Sequence, residues 1–315
     1  MSAWQEVMAD KARRIRNAFT LVFVLVVAIG ANAQTLFQTG QNIQPVFEGW
    51  MHNSDGTFTM VFGYLNRNYV EEPHVAIGPS NSFEPGPADR GQPTHFYPRR
   101  QQFLFDVTVP ANWGQKELVW TLTHNGRTST AIGTLAPSWL IDEGVLKVNR
   151  NQGGNFGRTA KVIDPDRRPS VTVVGESAIA VVFPQSVTLT VSASDDGKPG
   201  PRPAPARAPE AVPRESDGPS DGLPLQLSPI GQDVVKARAA YETGLAITWL
   251  HYRGPGTVTF EPRVVPVKLR DGKATTTIRF SEPGTYVIRA VADDGVLTTP
   301  ADMTVIVKEA SPVRR

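Results

Sequence analysis

From Gln34 onward, apolar residues recur at every second position and not at the 3.6-residue period of a helix. Phe58, Met60, Phe62 and Tyr64 fall in one phase. Phe103, Phe105, Val107 and Val109 repeat the pattern, and so do Leu118, Trp120 and Leu122. The breaks between these runs are turn formers: Asn53-Ser54-Asp55-Gly56 after VFEGWMH, and His124-Asn125-Gly126 before TSTAIGTL. Alternating strands with such turns between them predict an antiparallel β-sandwich over residues 34–141. No segment carries a convincing amphipathic helical stripe.

A second period-two region opens near Pro169. Val187, Leu189, Val191 and Ala193 point one way while Thr188, Thr190 and Ser192 point the other. Leu245, Ile247 and Trp249 share a face, and TTTIRF, TYVIRAVADDG and MTVIVK complete the set. This predicts a second sandwich over 169–309 with a short tail, 310–315. A polar, Asn- and Gly-rich linker, 142–168, joins the two. Its GGNFG lacks both the spacing and the strand–turn–helix context of a dinucleotide loop. Within the second sandwich, residues 197–230 are rich in Pro, Gly and charge of both signs. Such a composition buries too little apolar surface to offset its ordering entropy, so a flexible loop is expected there. The expected fold class is all-β: two immunoglobulin-like antiparallel sandwiches in tandem, with a disordered Pro-rich loop inserted in the second.

The N-terminus belongs to neither sandwich. Lys11, Arg13, Arg14 and Arg16 precede the apolar run FTLVFVLVVAIG, and Ala31-Asn32-Ala33 supplies a small-x-small cleavage site. Residues 1–33 therefore have the layout of a secretory signal peptide. The apolar stretch 18–33 is short for a membrane span of roughly 20 residues, although an uncleaved anchor is the alternative. No further run of spanning length follows. Residues 1–33 carry four basic and two acidic side chains, so their removal takes the formal net charge from +2 to zero. A neutral mature chain offers no electrostatic case for a nucleic-acid partner. The absence of cysteine excludes thiol catalysis, disulfides and thiolate metal sites. An exported bacterial protein, periplasmic or extracellular, fits this composition.

Two strand ends share one unusual feature: SVTLTVSASDDG and TYVIRAVADDG both finish on Asp-Asp-Gly. In an immunoglobulin-like sandwich, VTLTVSAS would be strand B, LAITWLHY strand C, TYVIRAVA strand F and MTVIVK strand G. The B–C and F–G loops then lie at the same end. Turn chemistry suffices to explain both corners, since Gly admits positive φ and Asp bonds its own backbone. The alternative is that Asp195, Asp196, Asp293 and Asp294 gather oxygen ligands for calcium. Calcium is the one cofactor the sequence raises.

The stretches TVSASDDG, ITWLHYRGPGTVTF, IRFSEPGTYVIRAVADDG and TVIV make the second sandwich resemble the polycystic-kidney-disease (PKD) type of immunoglobulin-like domain. The likeness spans about 171–307, interrupted by the Pro-rich insert. Many members carry a W-x-F-G-D-G element, whereas here Trp249 is followed by LHYRGPG. The resemblance implies an extracellular binding or spacer module and not a catalyst. Some relatives bind calcium at strand-end acids, a role only the four aspartates could inherit. The first sandwich resembles no family of nameable activity.

Candidate chemistry is sparse. The histidines, His52, His74, His95, His124 and His251, show no metal-ligand spacing, and neither a G-x-S-x-G elbow nor a phosphate loop occurs. His251, in phase with Trp249, is expected to be structural. A glycosidase needs two carboxyls across a cleft, which two small sandwiches on a linker rarely form. The most function-like stretch is GQPTHFYPRRQQF, which presents His95, Phe96, Tyr97, Arg99 and Arg100 as candidate ligand-binding residues. Aromatic and Arg side chains give large contact area with directional polar ends. The alternative is that Phe96 and Tyr97 close the sandwich while the arginines pair with Glu71, Glu72 or Glu84. The resulting expectation is an exported, non-catalytic binding or scaffold protein of the bacterial envelope, with a glycan or envelope protein as partner. A carbohydrate-active enzyme or its accessory subunit, and a subunit of an exported complex, are the alternatives.

Overall fold

The computed structural model describes residues 37–142, 145, 167–198, 244–262, 267–295 and 297–310. The signal-like segment 1–33, nearly all of the linker, the Pro-rich insert from Pro199 onward and the tail from 311 lie outside the described residues. The strands all belong to one compact unit, Gln38–Arg315.

The first sandwich pairs two antiparallel sheets. β1 (Ile43–His52), β2 (Phe58–Asn66) and β4 (Arg99–Val109) form one, in the order β1-β2-β4. β3 (Asn81–Glu84), β5 (Leu118–His124) and β6 (Arg127–Gly133) form the other, in the order β3-β5-β6. The β1–β2 hairpin closes where the Thr57 N–H donates to Asp55 Oδ1 at 2.9 Å. Asn125 and Gly126, with φ of 51° and 70°, supply the two positive φ values of a tight β5–β6 turn. Between the sheets Phe62 stacks on Phe105 and Phe83 on Trp120, each pair at 5.7 Å. The pairs meet edge-on, the geometry that aromatic quadrupoles favour.

Two fully buried asparagines pin the loops at one end of this sandwich. Asn81 accepts from Trp120 Nε1 at 3.0 Å and donates to the carbonyls of Val75 and Pro93. Asn66 donates to the carbonyls of Glu71 and Phe96. Buried amides are tolerated here because their polar atoms are satisfied. The segment around residues 89–98 is thereby held in one conformation.

The second sandwich comprises β7 (Ser170–Val173), β8 (Ala178–Val182), β9 (Val187–Ser194), β10 (Ala246–Arg253), β11 (Val258–Glu261), β12 (Val267–Lys268), β13 (Lys273–Phe280), β14 (Gly284–Asp293) and β15 (Thr298–Lys308). Its sheets run β11-β13-β9-β7 and β12-β10-β14-β15-β8. β8 lies parallel to β15, and the other pairs are antiparallel. This is an immunoglobulin-like order, with the first strand split between sheets. Leu189, Trp249, Ile278, Tyr286, Ile288 and Val305 fill the core.

The two outer faces of this sandwich differ. β9 and β13 turn hydroxyls outward, where Thr188–Thr277 and Thr190–Thr275 pair across the strands at 3.2 and 3.0 Å. β10 is largely apolar in both phases, and the outward phase of β14 sets Val287 and Val291 beside Arg289. Ile247 and Trp249 enter the second core, whereas Tyr252 belongs to the core of the first sandwich and Val287 packs against it. The sequence suggested two sandwiches connected by a linker. In the structure they also share an interface, because Tyr252 of β10 and Val287 of β14 turn to the core of the first sandwich.

Candidate functional site

The junction is built where residues 89–97 of the first sandwich meet the end of β10. The β10–β14 register shifts between His251 and Arg253, a bulge that re-aims the side chains around it. The Tyr252 carbonyl accepts the backbone N–H groups of Thr94 and His95 at 3.2 and 3.3 Å. Its phenol donates to the Gly91 carbonyl at 2.6 Å. Arg253 forms a fork on Asp89, at 2.7 and 3.0 Å, and donates through Nε to the Gln92 carbonyl. That pairing holds the Asp89 carboxyl below its ordinary range. The Gly254 N–H donates to Thr94 Oγ1 at 3.1 Å.

Arg289 ties the same sheets from the other side. It grips Asp302 bidentately at 2.7 and 2.8 Å, donates to the Leu104 carbonyl at 3.1 Å, and lies 3.5 Å above the Tyr252 ring. A desolvated guanidinium over an aromatic face adds about 2 kcal/mol to such a contact.

Beside the junction the sheets part, leaving a cleft of about 660 Å³ between them. Residues 100–106 of β4 form one wall, and the outer face of β10, β14 and β15 forms the floor. The expectation that two small sandwiches do not enclose such a space is therefore not met. β4 is the last strand of its sheet, and opposite Phe62–Tyr64 its register slips around Phe103, which sits at φ 47°. A non-glycine residue in that region costs about 1–2 kcal/mol, so surrounding contacts must hold it. Asp106 keeps solvent contact along the cleft, yet the crowding walls remove enough hydration to raise its carboxyl, against the pull of Arg168 and Arg289. Burial likewise raises Glu48, opposed by Arg100 at 2.6 Å.

The five residues of GQPTHFYPRRQQF separate. Buried His95 stacks on His251, and half-buried Tyr97 accepts the His251 backbone N–H at 2.9 Å, so these two face the junction, whereas Phe96 closes the core of the first sandwich against Tyr64. Burial of its hydroxyl raises Tyr97. Arg99 stacks 4.1 Å from the Tyr69 ring and donates to the Arg67 carbonyl. Arg100 alone of the five lines the cleft. Its carboxylate partner is Glu48; Glu72 instead meets His95 at 3.0 Å, and Glu71 meets His124 at 3.3 Å. Tyr252, Arg253, Asp89 and Arg289 were missed. The available signal was ITWLHY itself, apolar in both phases where a solvated strand would alternate.

At the far end of the second sandwich, Ala246 pairs with Asp293, so the strand that re-enters after the first Asp-Asp-Gly lies beside the second. All four carboxylates accept from their own turns. Asp195 takes the N–H of Gly197 and Asp196 that of Lys198, while Asp293 takes that of Gly295 and Asp294 that of Leu297, at 2.7–3.0 Å. Gly197 and Gly295 have φ of 79° and 96°, which a Cβ would disfavour. Asp195 is raised by burial first and by neighbouring Asp196 to a lesser degree, against the Gly197 hydrogen bond. Among the described residues no three His, Asp or Glu side chains gather as a cation site requires. Nor is any helix among them long and apolar enough to cross a membrane.

No family model matches the chain, and no curated protein matches it. Solved structures overlap it loosely. Domains 4 and 5 of the S-layer protein SbsC share 8% identity at a TM-score of 0.23, over 62% of this chain and 66% of theirs. The fibronectin(III)-like modules of Clostridium thermocellum CbhA share 10% at 0.23, over 86% and 98%. The D0-D1 domain of intimin shares 9% at 0.22, over 84% and 97%. At these TM-scores the overlaps carry no argument. The immunoglobulin-like assignment rests on the strand order itself.

Proposed function

We propose that the chain is an exported, non-catalytic binding or scaffold protein of the bacterial envelope, in which two sandwiches form one rigid body and present the cleft between them. The observation that carries this reading is the junction. Backbone, aromatic and ion-pair contacts from Tyr252, Arg253 and Arg289 hold the sandwiches together beside a cleft of about 660 Å³. Ligand sites favour concave seams between domains, with polar groups set among apolar walls. The signal-like N-terminus supports export, and the PKD-like stretches support a spacer role for the second sandwich. The ligand class that suits the reading is a glycan or an envelope protein.

The test is retention of the chain from Gln34 on insoluble polysaccharides and on isolated cell envelopes, beside a variant with the cleft obstructed by Gln102→Arg and Asp106→Arg. Retention of the parent and its loss in the variant is the expected result. No retention on any matrix, or equal retention of both, would overturn it. A second reading, a carbohydrate-active enzyme or its accessory subunit, is favoured by one observation. Asp106 lies in the cleft with its carboxyl raised, as a general acid requires. Release of reducing sugar that Asp106→Asn abolishes would establish that reading instead.

A further inference from the structure

The junction brings together one histidine from each sandwich. The rings of His95 and His251 stack with centroids 4.2 Å apart and planes 24° from parallel. Both are buried, at 3% and 2% exposure. Stacked rings direct their nitrogens outward in separate planes, so the pair does not converge on a shared proton or ion. His95 Nε2 lies 3.0 Å from Glu72 Oε2. Neither ring nitrogen of His251 reaches a hydrogen-bond partner in good geometry.

The groups packed around the pair leave His251 without a counter-charge. Tyr97 faces His95 edge-on at 4.8 Å, and the Tyr286 ring of β14 lies 5.6 Å from His251. His74 bridges to His95 through the backbone, and Glu282 pulls on His74. Arg253, two residues along β10, is committed to Asp89. Of the carboxylates here, Glu72 faces His95 and Glu282 faces His74.

We propose that this stacked pair is an acid-sensitive latch: a proton on His251 sets an unpaired buried cation against the His95 ring, and the two sandwiches separate. The sign follows from linkage. Burial first, then His95 and His74, push His251 down to about 3, against a weak pull from the backbone of Arg253 and Gly254. Once the sandwiches part, the ring is solvated and titrates near its ordinary value of about 6.5. The open state therefore binds more protons between these values. Closure is fully favoured above about pH 6.5 and loses ground steadily as the pH falls. Such a latch would couple exposure of the cleft walls to acid outside the cell.

The chain has no cysteine, so Thr130→Cys on β6 and Arg279→Cys on β13, both exposed, give one spin label per sandwich. Pulsed dipolar distance measurement on the full chain should show one narrow distance at about pH 7.5. A longer, broader population should grow reversibly between about pH 6 and 5, where solvated histidine takes up its proton. His251→Phe, which keeps the stack but cannot titrate, should hold the narrow distance to about pH 4.5. His251→Gln serves the same purpose should the Phe variant fail to fold. A distribution unchanged to that pH would overturn the proposal. So would opening confined below about pH 4, where carboxylates such as Asp89 titrate, or equal opening in the variants.

Discussion

Tyr252 is the residue on which the two-sandwich body most depends, and its removal yields a result of distinctive form. The side chain is 4% exposed and lies in the core of the sandwich to which its own strand does not belong. Truncating a buried aromatic to alanine costs about 3–5 kcal/mol. Losing its ring from beneath Arg289 adds about 1–2 kcal/mol. Tyr252→Ala is thus expected to cost about 4–7 kcal/mol, a large part of the roughly 5–15 kcal/mol that holds a typical protein folded. Tyr252→Phe keeps the ring and loses only the bond to the Gly91 carbonyl, at about 1–2 kcal/mol. The first core holds buried Trp50, Trp113 and Trp120 and the second holds Trp249, so urea denaturation followed by fluorescence can report on both. Trp249→Phe identifies which signal is which. The parent should unfold in one transition. Tyr252→Ala should unfold in two, the first sandwich melting earlier because it loses core volume as well as a neighbour. A single transition shifted by less than about 1 kcal/mol would refute the claim that the sandwiches form one cooperative body.

Gly254→Ala should be as disruptive as a small substitution can be: at φ 129° its Cβ would collide with the Tyr286 ring, at a cost of about 1–3 kcal/mol. Calorimetry should show a lower Tm, and loss of the Tyr97–His251 contact should appear in amide exchange at His251. Asn81→Leu strands Trp120 Nε1 and the carbonyls of Val75 and Pro93. At about 1–3 kcal/mol per orphaned group the loss is about 3 kcal/mol or more, which calorimetry would register as a fall in Tm of about 6–12 °C. Calcium tests the Asp-Asp-Gly corners. Carboxylates committed to their own turns predict a Tm that millimolar calcium or EDTA shifts by no more than about 1 °C, whereas a calcium-dependent rise of several degrees would assign them a cation.

How much of this was legible in the sequence depends on whether a side chain's partner is local. Period-two alternation is legible where a strand's outer face meets water: β9 shows it in the phase of Leu189 and Val191 against Thr188 and Thr190, and those threonines pair outward with Thr277 and Thr275 of β13, whereas short β3 and β8 were not read from it. The Asp-Asp-Gly corners were also readable, because an Asx turn is completed within three residues. The junction was not readable as a pairing, since Arg253 meets Asp89 across 164 residues and nothing in the local pattern names a partner so distant. A trace of it was nevertheless present. In LAITWLHY the phase of Ala246, Leu250 and Tyr252 is nearly as apolar as that of Ile247 and Trp249, and a strand largely apolar in both phases must be covered twice. One cover is its own sandwich. The other comes here from the first sandwich, whose core takes in Tyr252 and packs against Val287. The same logic explains why GQPTHFYPRRQQF drew attention as a recognition surface. Aromatic rings and arginines beside prolines are what any specific contact uses; here His95 and Tyr97 make theirs with the chain's own second sandwich, whereas Phe96 packs on Tyr64 and the two arginines on Tyr69 and Glu48. Of the five, Arg100 alone reaches the cleft, beside Tyr252, Arg253 and Arg289 of the contact itself.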